Sequence, residues 1–98
     1  MSTLVFCVFD LSHATREDYL YAYMGLADAG LRQTIKSESG PSFNLPASAL
    51  MGTFDGRSVE DIRSTVSKKV QGIFKSRGLK GTFFLVASGD WACAGEAT

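Results

Sequence analysis

LVFCVFDLS, residues 4–12, predicts the central strand of this protein. From Leu4 to Leu11 the only charged residue is Asp10. Side chains alternate between the two faces of a strand, and here both faces are apolar. This pattern predicts a strand over residues 3–11 that is buried on both sides. A carboxylate at the end of such a strand is the first candidate for a functional group.

The segment after this strand has helical periodicity. Thr15 begins a T-x-x-D pattern, which is typical of a helix N-terminus, and Gly30 is a natural C-terminal stop. A helix is therefore predicted over residues 15–29. Its core face is expected to contain the apolar residues at helical spacing: Leu20, Tyr23, Met24 and Ala27.

A second helix is predicted over residues 58–76. Ser58 begins another capping pattern, and the helix is expected to end near Gly78. An apolar stripe at helical spacing follows the cap and is expected to face the core. The stripe consists of Val59, Ile62, Val66, Val70, Ile73 and Phe74.

Three more strands complete the predicted fold. Residues 31–38 have the mixed polarity of an edge strand, whereas 47–54 and 80–88 are apolar. Glycine, proline and asparagine in 39–46 predict a hairpin loop. The order β-α-β-β-α-β predicts one α+β domain over residues 1–98, a ferredoxin-like sandwich. Its antiparallel sheet would have strand order 4-1-3-2, with both helices on one face.

Composition limits the possible classes of protein. The 98 residues are 45% hydrophobic and 20% charged with zero net charge, which is typical of one globular domain. This balance argues against a strongly charged partner for the whole molecule but allows a local basic patch. Cys7 and Cys93 form no metal-binding pair, and Cys7 is expected to be a buried hydrophobe. No signal peptide or membrane-spanning run is visible, so we expect a cytoplasmic protein without a membrane partner.

The apolar pattern also predicts self-association. Two helices cover one face of a ferredoxin-like sheet, yet the first and last strands are apolar on both faces. A second copy of the chain is the simplest cover for the other face, because two-fold homodimers are the commonest assembly. The alternative is that the tail from Gly89 folds back over its own sheet.

Three stretches resemble a known family: FDLS (9–12), GLRQTI (30–35) and FFLVASGDWACAG (83–95). They are similar to the small CRISPR-adaptation nuclease and its SinR-like and virulence-associated-protein-D-like relatives. ASALMGTF (47–54) resembles the SinR-like branch more closely, and residues 39–46 depart from the family pattern. The resemblance implies a ferredoxin-like homodimer and, in some members, metal-dependent phosphodiesterase activity on RNA or DNA.

The resemblance assigns a role to Asp10. In the family an acidic residue ends the first strand, and the two copies face each other across the dimer axis. Asp10 would then hold Mg²⁺ or Mn²⁺ together with its symmetry mate, since hard ions prefer oxygen ligands. The alternative is an Asx turn that leads into the helix. Ser12 and His13 follow as secondary catalytic candidates, either as phosphate contacts or as a polar turn.

Basic residues give a second signal. Between Ser58 and Lys80 there are four more positive than negative charges. Nucleic acid is the obvious ligand for such a patch, and the alternative is a solvated helix face with cations favoured near its C-terminus. The candidate contacts are Arg32, Lys36, Lys68, Lys69, Lys75 and Arg77.

Two aromatic residues are interpreted separately. Tyr21 is expected on the exposed side of the first helix, where it would be able to stack a base. Trp91 is expected to anchor packing or an interface.

Together the patterns favour a nucleic-acid-binding homodimer with metal-dependent endonuclease activity. The alternative is a non-catalytic interaction module, an antitoxin-like or adaptor subunit with a protein partner. An enzyme for a small metabolite is disfavoured, because no set of converging polar groups is visible.

Overall fold

A computed structural model of the protein describes residues 2–36 and 42–92. They form a small α+β fold in which a three-stranded antiparallel sheet packs against two helices. A separate two-stranded hairpin accompanies this sheet. The elements are β1 (Ser2–Leu11), α1 (Arg16–Asp28), β2 (Thr34–Lys36), β3 (Ser42–Asn44), β4 (Ala49–Asp55), α2 (Val59–Ser76) and β5 (Gly81–Ser88).

The first strand has the predicted central position. β1 lies between β4 and β5 and is antiparallel to both. The predicted second strand begins at Thr34 rather than at residue 31, and its described residues do not join this sheet as a strand. Among the described residues, a single β-bridge, between Arg32 and Met51, connects this segment to the sheet. The backbone N–H of each of the two residues donates to the carbonyl of the other at 2.9 Å.

The predicted loop over 39–46 was wrong in part. Ser42–Asn44 is a strand, β3, which pairs antiparallel with β2. The Thr34 hydroxyl donates to Asn44 Oδ1 at 2.9 Å across this pair. Asn44, one of the turn-forming residues, is the last residue of this strand, whereas Pro46 follows it outside the strand. Residues 37–41 lie outside the described residues.

The two faces of β1 differ in burial. On the face toward the helices Val5 and Cys7 are completely buried, so the expectation for Cys7 is confirmed. On the other face Leu4, Phe6 and Val8 are only half-buried. The strand is therefore fully covered on one side rather than on both. Cys93 lies outside the described residues.

Helix α1 begins as predicted but turns a different face to the core. Ala22 and Leu26 are buried, whereas Leu20 and Met24 are 51% and 64% exposed. The predicted core face was therefore wrong for these two residues. The Thr15 capping box is present, with the Asp18 N–H donating to Thr15 Oγ1 at 3.2 Å.

Two tyrosines explain the rotation of α1. The rings of Tyr19 and Tyr23 pack on Phe9 at centroid distances of 5.8 and 5.5 Å. The Tyr23 hydroxyl accepts a hydrogen bond from the Ser48 N–H at 3.0 Å. These contacts fix the stripe at 19, 22, 23 and 26 against the sheet, because all four positions share one face of a helix.

Helix α2 follows the prediction closely. Ser58 caps it by accepting from the Asp61 N–H at 3.1 Å. Its predicted stripe faces the core, with Ile62, Val66, Val70 and Phe74 buried. Within the described ranges, neither helix combines the length and the apolar character that crossing a membrane requires.

Candidate nucleic-acid interface

The end of β1 is held against the start of β5. The Ser12 N–H donates to the Lys80 carbonyl at 2.8 Å, which continues the β1–β5 register beyond both strands. His13 then adopts a left-handed conformation with φ of 50°. The polar turn before α1 therefore lies beside the connection between α2 and β5.

A cleft of about 340 Å³ opens at this junction. The β1–α1 turn contributes Ser12 and His13, and the α2–β5 connection contributes Arg77 and Lys80. Residues that carry a hydroxyl, an imidazole, a guanidinium and an ammonium group thus line one concave surface. Such groups are the usual partners of phosphate oxygens. The remaining lining residues are Leu11, Ala14, Asp18, Gly78 and Leu79.

The end of α2 explains the position of the two cations. Arg77 caps the helix, and Gly78 adopts a φ of 65° that redirects the chain toward β5. The Leu79 N–H donates to the Phe74 carbonyl at 2.9 Å and closes this turn. The Arg77 guanidinium lies 4.7 Å from the centroid of the Tyr21 ring, a cation–π contact.

Tyr21 is exposed, as predicted. Its ring contacts the guanidinium of Arg77, a cleft residue, so its partner among the described residues is a side chain of the protein itself. Trp91 is 44% exposed, so packing within the described chain leaves much of its ring accessible. Its predicted role as an anchor stays a prediction.

Asp10 lies next to the cleft but does not line it. Its exposed carboxylate accepts a hydrogen bond from the Tyr19 hydroxyl at 3.0 Å. The same hydroxyl oxygen accepts from the Leu11 N–H at 3.1 Å. Among the described residues the partner of Asp10 is therefore a tyrosine from α1, not the backbone of an Asx turn. The contact orients the carboxylate and leaves its second oxygen available.

The described residues around Asp10 contain no cluster of metal-ligating side chains. Within residues 2–36 and 42–92, no three His, Cys, Asp or Glu side chains lie together as a metal site would require. Hard divalent ions take six or more oxygen ligands, often including water. Asp18, the carboxylate in the cleft, is already engaged, since its Oδ2 accepts from the Thr15 N–H at 2.9 Å.

The predicted basic contacts are distributed over several places. Arg77 lines the cleft, whereas Lys68 lines a separate groove beside β5. Lys69 and Lys75 are exposed on α2 and line neither. Arg32 is exposed at the bridge to β4, and the side chain of Lys36 lies outside the described part of the chain.

Lys80 is a cleft residue that was not singled out from the sequence. It contributed to the count of positive charges after Ser58, but nothing in a single sequence placed it beside Ser12. The strand register was the missing information, since pairing of Leu11 with Gly81 brings the flanking residues together.

The chain has no match among protein-family models or curated proteins. Its resemblance to the CRISPR-adaptation nuclease family therefore stays a prediction.

Proposed function

We propose that the protein binds nucleic acid as a homodimer, with the cleft at the end of β1 holding the phosphate backbone. The observation that carries the proposal is the convergence of Ser12, His13, Arg77 and Lys80 on one cleft. Phosphate contacts fix the position of a nucleic acid without reading its sequence. The proposed ligand is therefore RNA or DNA in general rather than one base sequence.

The fold proposed for this function is a complete ferredoxin-like sandwich with strand order 4-1-3-2. Support comes from the observed order β4-β1-β5, which places the predicted first strand between the third and fourth. The bridge from Arg32 to Met51 also puts the start of the predicted second strand beside β4. Membership of the CRISPR-adaptation nuclease superfamily and a cytoplasmic location belong to the same proposal.

The proposed dimer covers the open face of the sheet. Leu4, Phe6 and Val8 of β1 are half-buried there, and neighbouring Phe84 and Val86 of β5 are 64% and 47% exposed. A contiguous apolar face of this kind is unusual on a monomer. A second copy related by a two-fold axis would cover it with the same patch of its own sheet.

The dimer would also complete a metal site. Asp10 lies at the end of the open face and would share Mg²⁺ or Mn²⁺ with Asp10 of the partner subunit. When bound, such an ion supplies an activated water and neutralises phosphate charge. Tyr19 positions the Asp10 carboxylate through its hydroxyl. Ser12 and His13 hold the phosphate beside it, His13 as the one imidazole available to accept a proton.

Binding is tested first, with fluorescein-labelled single- and double-stranded RNA and DNA over a series of salt concentrations. We expect an Arg77→Ala and Lys80→Ala double variant to bind less tightly and to lower the salt slope by about two, since each phosphate contact contributes about one. Arg57→Ala is the matched control, because Arg57 is exposed but does not line the cleft. Equal affinity of the double variant and the wild type would contradict the proposal.

Cleavage is tested separately with Mg²⁺, Mn²⁺ or chelator present. We expect Asp10→Asn to abolish cleavage without changing the sedimentation of the dimer. Asp55→Asn is the control, an exposed strand-end aspartate on β4. Cleavage that survives in Asp10→Asn would remove Asp10 from the site. Binding without any cleavage by folded wild type would leave a non-catalytic interaction module, the alternative function.

A further inference from the structure

Among the described strands, β5 has a neighbour on one side only. It is the outer strand in the order β4-β1-β5, and its 8 residues, Gly81–Ser88, include no charge and no proline. Exposed edges of natural sheets are usually blunted by charges, prolines or bulges, because they pair readily with other strands. An edge of this length without such protection is suited to pairing with an extended chain.

The β1–β5 register shows which backbone groups are free. The bond from the Ser12 N–H to the Lys80 carbonyl makes these two residues a hydrogen-bonded pair. Hydrogen-bonded pairs alternate along an antiparallel ladder, so the N–H and C=O groups of Phe83, Leu85 and Ala87 point away from β1. Within the described residues, no strand pairs with this outer edge.

A basic groove runs along the same edge. It lies between α2 and β5, with a volume of about 430 Å³. Phe83 and Leu85 contribute apolar surface, while Arg63 and Lys68 of α2 contribute positive charge. Both cations are exposed, and the lining residues in the described part of the chain include no acidic side chain. The other lining residues are Ser64, Ser67, Gln71 and Phe84.

We propose that this edge binds an extended acidic peptide segment of a partner protein, which adds to the sheet as a strand beside β5. The peptide backbone would bond the free groups of Phe83, Leu85 and Ala87. Side chains of an added strand alternate between the two faces of the sheet, so every second residue faces the helix side. Acidic residues at those positions would meet Arg63 and Lys68. This binding site is independent of the cleft at the end of β1.

A second copy of the chain fits this edge less well. Pairing of two β5 edges around a two-fold axis would bring two identical groove walls together, each carrying Arg63 and Lys68. The cations of the two α2 helices would then be brought closer together, and like charges repel. Nucleic acid shares the negative charge of the proposed peptide, but it lacks the regular alternation of donors and acceptors that the strand edge presents.

The probe is a fluorescein-labelled peptide of alternating valine and glutamate with the same 8-residue length as β5. Two comparison peptides replace glutamate by lysine, or carry N-methyl groups on alternate backbone amides. We expect saturable binding of the acidic peptide by anisotropy and no binding of either comparison peptide. The amide NMR signals of Phe83, Leu85 and Ala87 should shift more than those of the alternate residues of β5.

Charge reversal tests the groove itself. An Arg63→Glu and Lys68→Glu double variant should weaken peptide binding by about tenfold, since two attractive surface contacts become repulsive. Lys69→Glu is the matched control, because Lys69 is exposed on the same helix but does not line the groove. Its affinity for the peptide should equal that of the wild type.

Three results would overturn the inference. Equal binding of the glutamate and lysine peptides would remove the role of charge. Binding of the N-methylated peptide would exclude strand addition. Displacement of the peptide by unlabelled RNA or DNA, with shifts at the same β5 amides, would assign the groove to nucleic acid. Loss of cleft binding in the Arg77 and Lys80 double variant would leave the inference untouched, since the peptide assay measures a different surface.

Discussion

The two faces of β1 are built from similar residues but differ in what covers them. Val5 and Cys7 on one face are completely buried beneath α1 and α2. Leu4, Phe6 and Val8 on the other face are half-buried. Composition does not explain this difference, because both faces are apolar. The position of the helices explains it, since both pack on the same side of the sheet.

The same contrast extends to β5. Leu85 and Ala87 pack against the core, whereas Phe84 and Val86 are exposed on the opposite face. The covered face supplies the stability of the fold, because buried apolar area is the main favourable term in folding. The open face carries Asp10 and an unused apolar surface, and is where association is expected. Residues on the covered face of a strand therefore contribute to stability, and residues on the open face are the ones expected to contribute to binding.

The largest expected effect is a loss of stability, and it concerns a residue that packs on the covered face of the sheet. Leu26→Ala should lower the free energy of unfolding by about 3 kcal/mol, because Leu26 is completely buried and its removal leaves a cavity. Leu20→Ala is the control on the same helix. Leu20 is 51% exposed, so we expect a change of about 0.5 kcal/mol or less. Urea unfolding measures both variants. A larger loss for Leu20→Ala than for Leu26→Ala would mean that α1 buries the face predicted from the sequence.

The second prediction concerns the pH dependence of the free energy of unfolding, and it again involves a residue on the covered face of the sheet, Cys7. Burial raises the pKa of the Cys7 thiol from 9.0 to about 11. Between these values the unfolded chain loses the thiol proton while the folded chain keeps it. The contribution of the neutral thiol to stability is therefore complete below pH 9.0 and is lost as the pH rises toward about 11. The loss should reach about 2 to 3 kcal/mol for a shift of this size.

The measurement compares unfolding free energies over this pH range in a Cys93→Ser background. Other groups titrate in the same range, so the informative quantity is the difference between Cys7 and a Cys7→Ala variant. This difference should shrink from pH 9.0 upward, because alanine has no proton to lose. A difference that stays constant up to pH 11 would mean that the thiol is not shielded from water, contrary to its burial.

Elements with a single apolar stripe were predictable from the sequence. The stripe through Ile62, Val66 and Val70 admits only one core face, and α2 adopts it. Helix α1 has apolar residues on several sides, so helical spacing alone did not select between its faces. The buried face of α1 is set by the ring contacts of Tyr19 and Tyr23 with Phe9. These contacts depend on the fold.

The candidate site was predictable only where it is local in sequence. Ser12 and His13 were identified because they follow the strand that ends in an acidic residue. Lys80 joins them through a pairing that spans most of the chain, and no local pattern carries that information. The hydrogen bond between Tyr19 and Asp10 joins residues only nine positions apart. It was missed for a different reason, because helical spacing alone did not show which face of α1 is turned toward the sheet.

The smallest expected effect on stability belongs to the open face, where the effect on association should be large. Phe84→Ser should change the free energy of unfolding of the monomer by about 0.5 kcal/mol or less, because its side chain is 64% exposed. Sedimentation should nevertheless show a weaker dimer, since a central apolar contact is lost. Met24→Ser is the matched control: Met24 is equally exposed at 64% but lies on α1. A dimer weakened by Met24→Ser and not by Phe84→Ser would move the interface to the helix layer. The open face of the sheet, and with it Asp10, would then have no partner subunit.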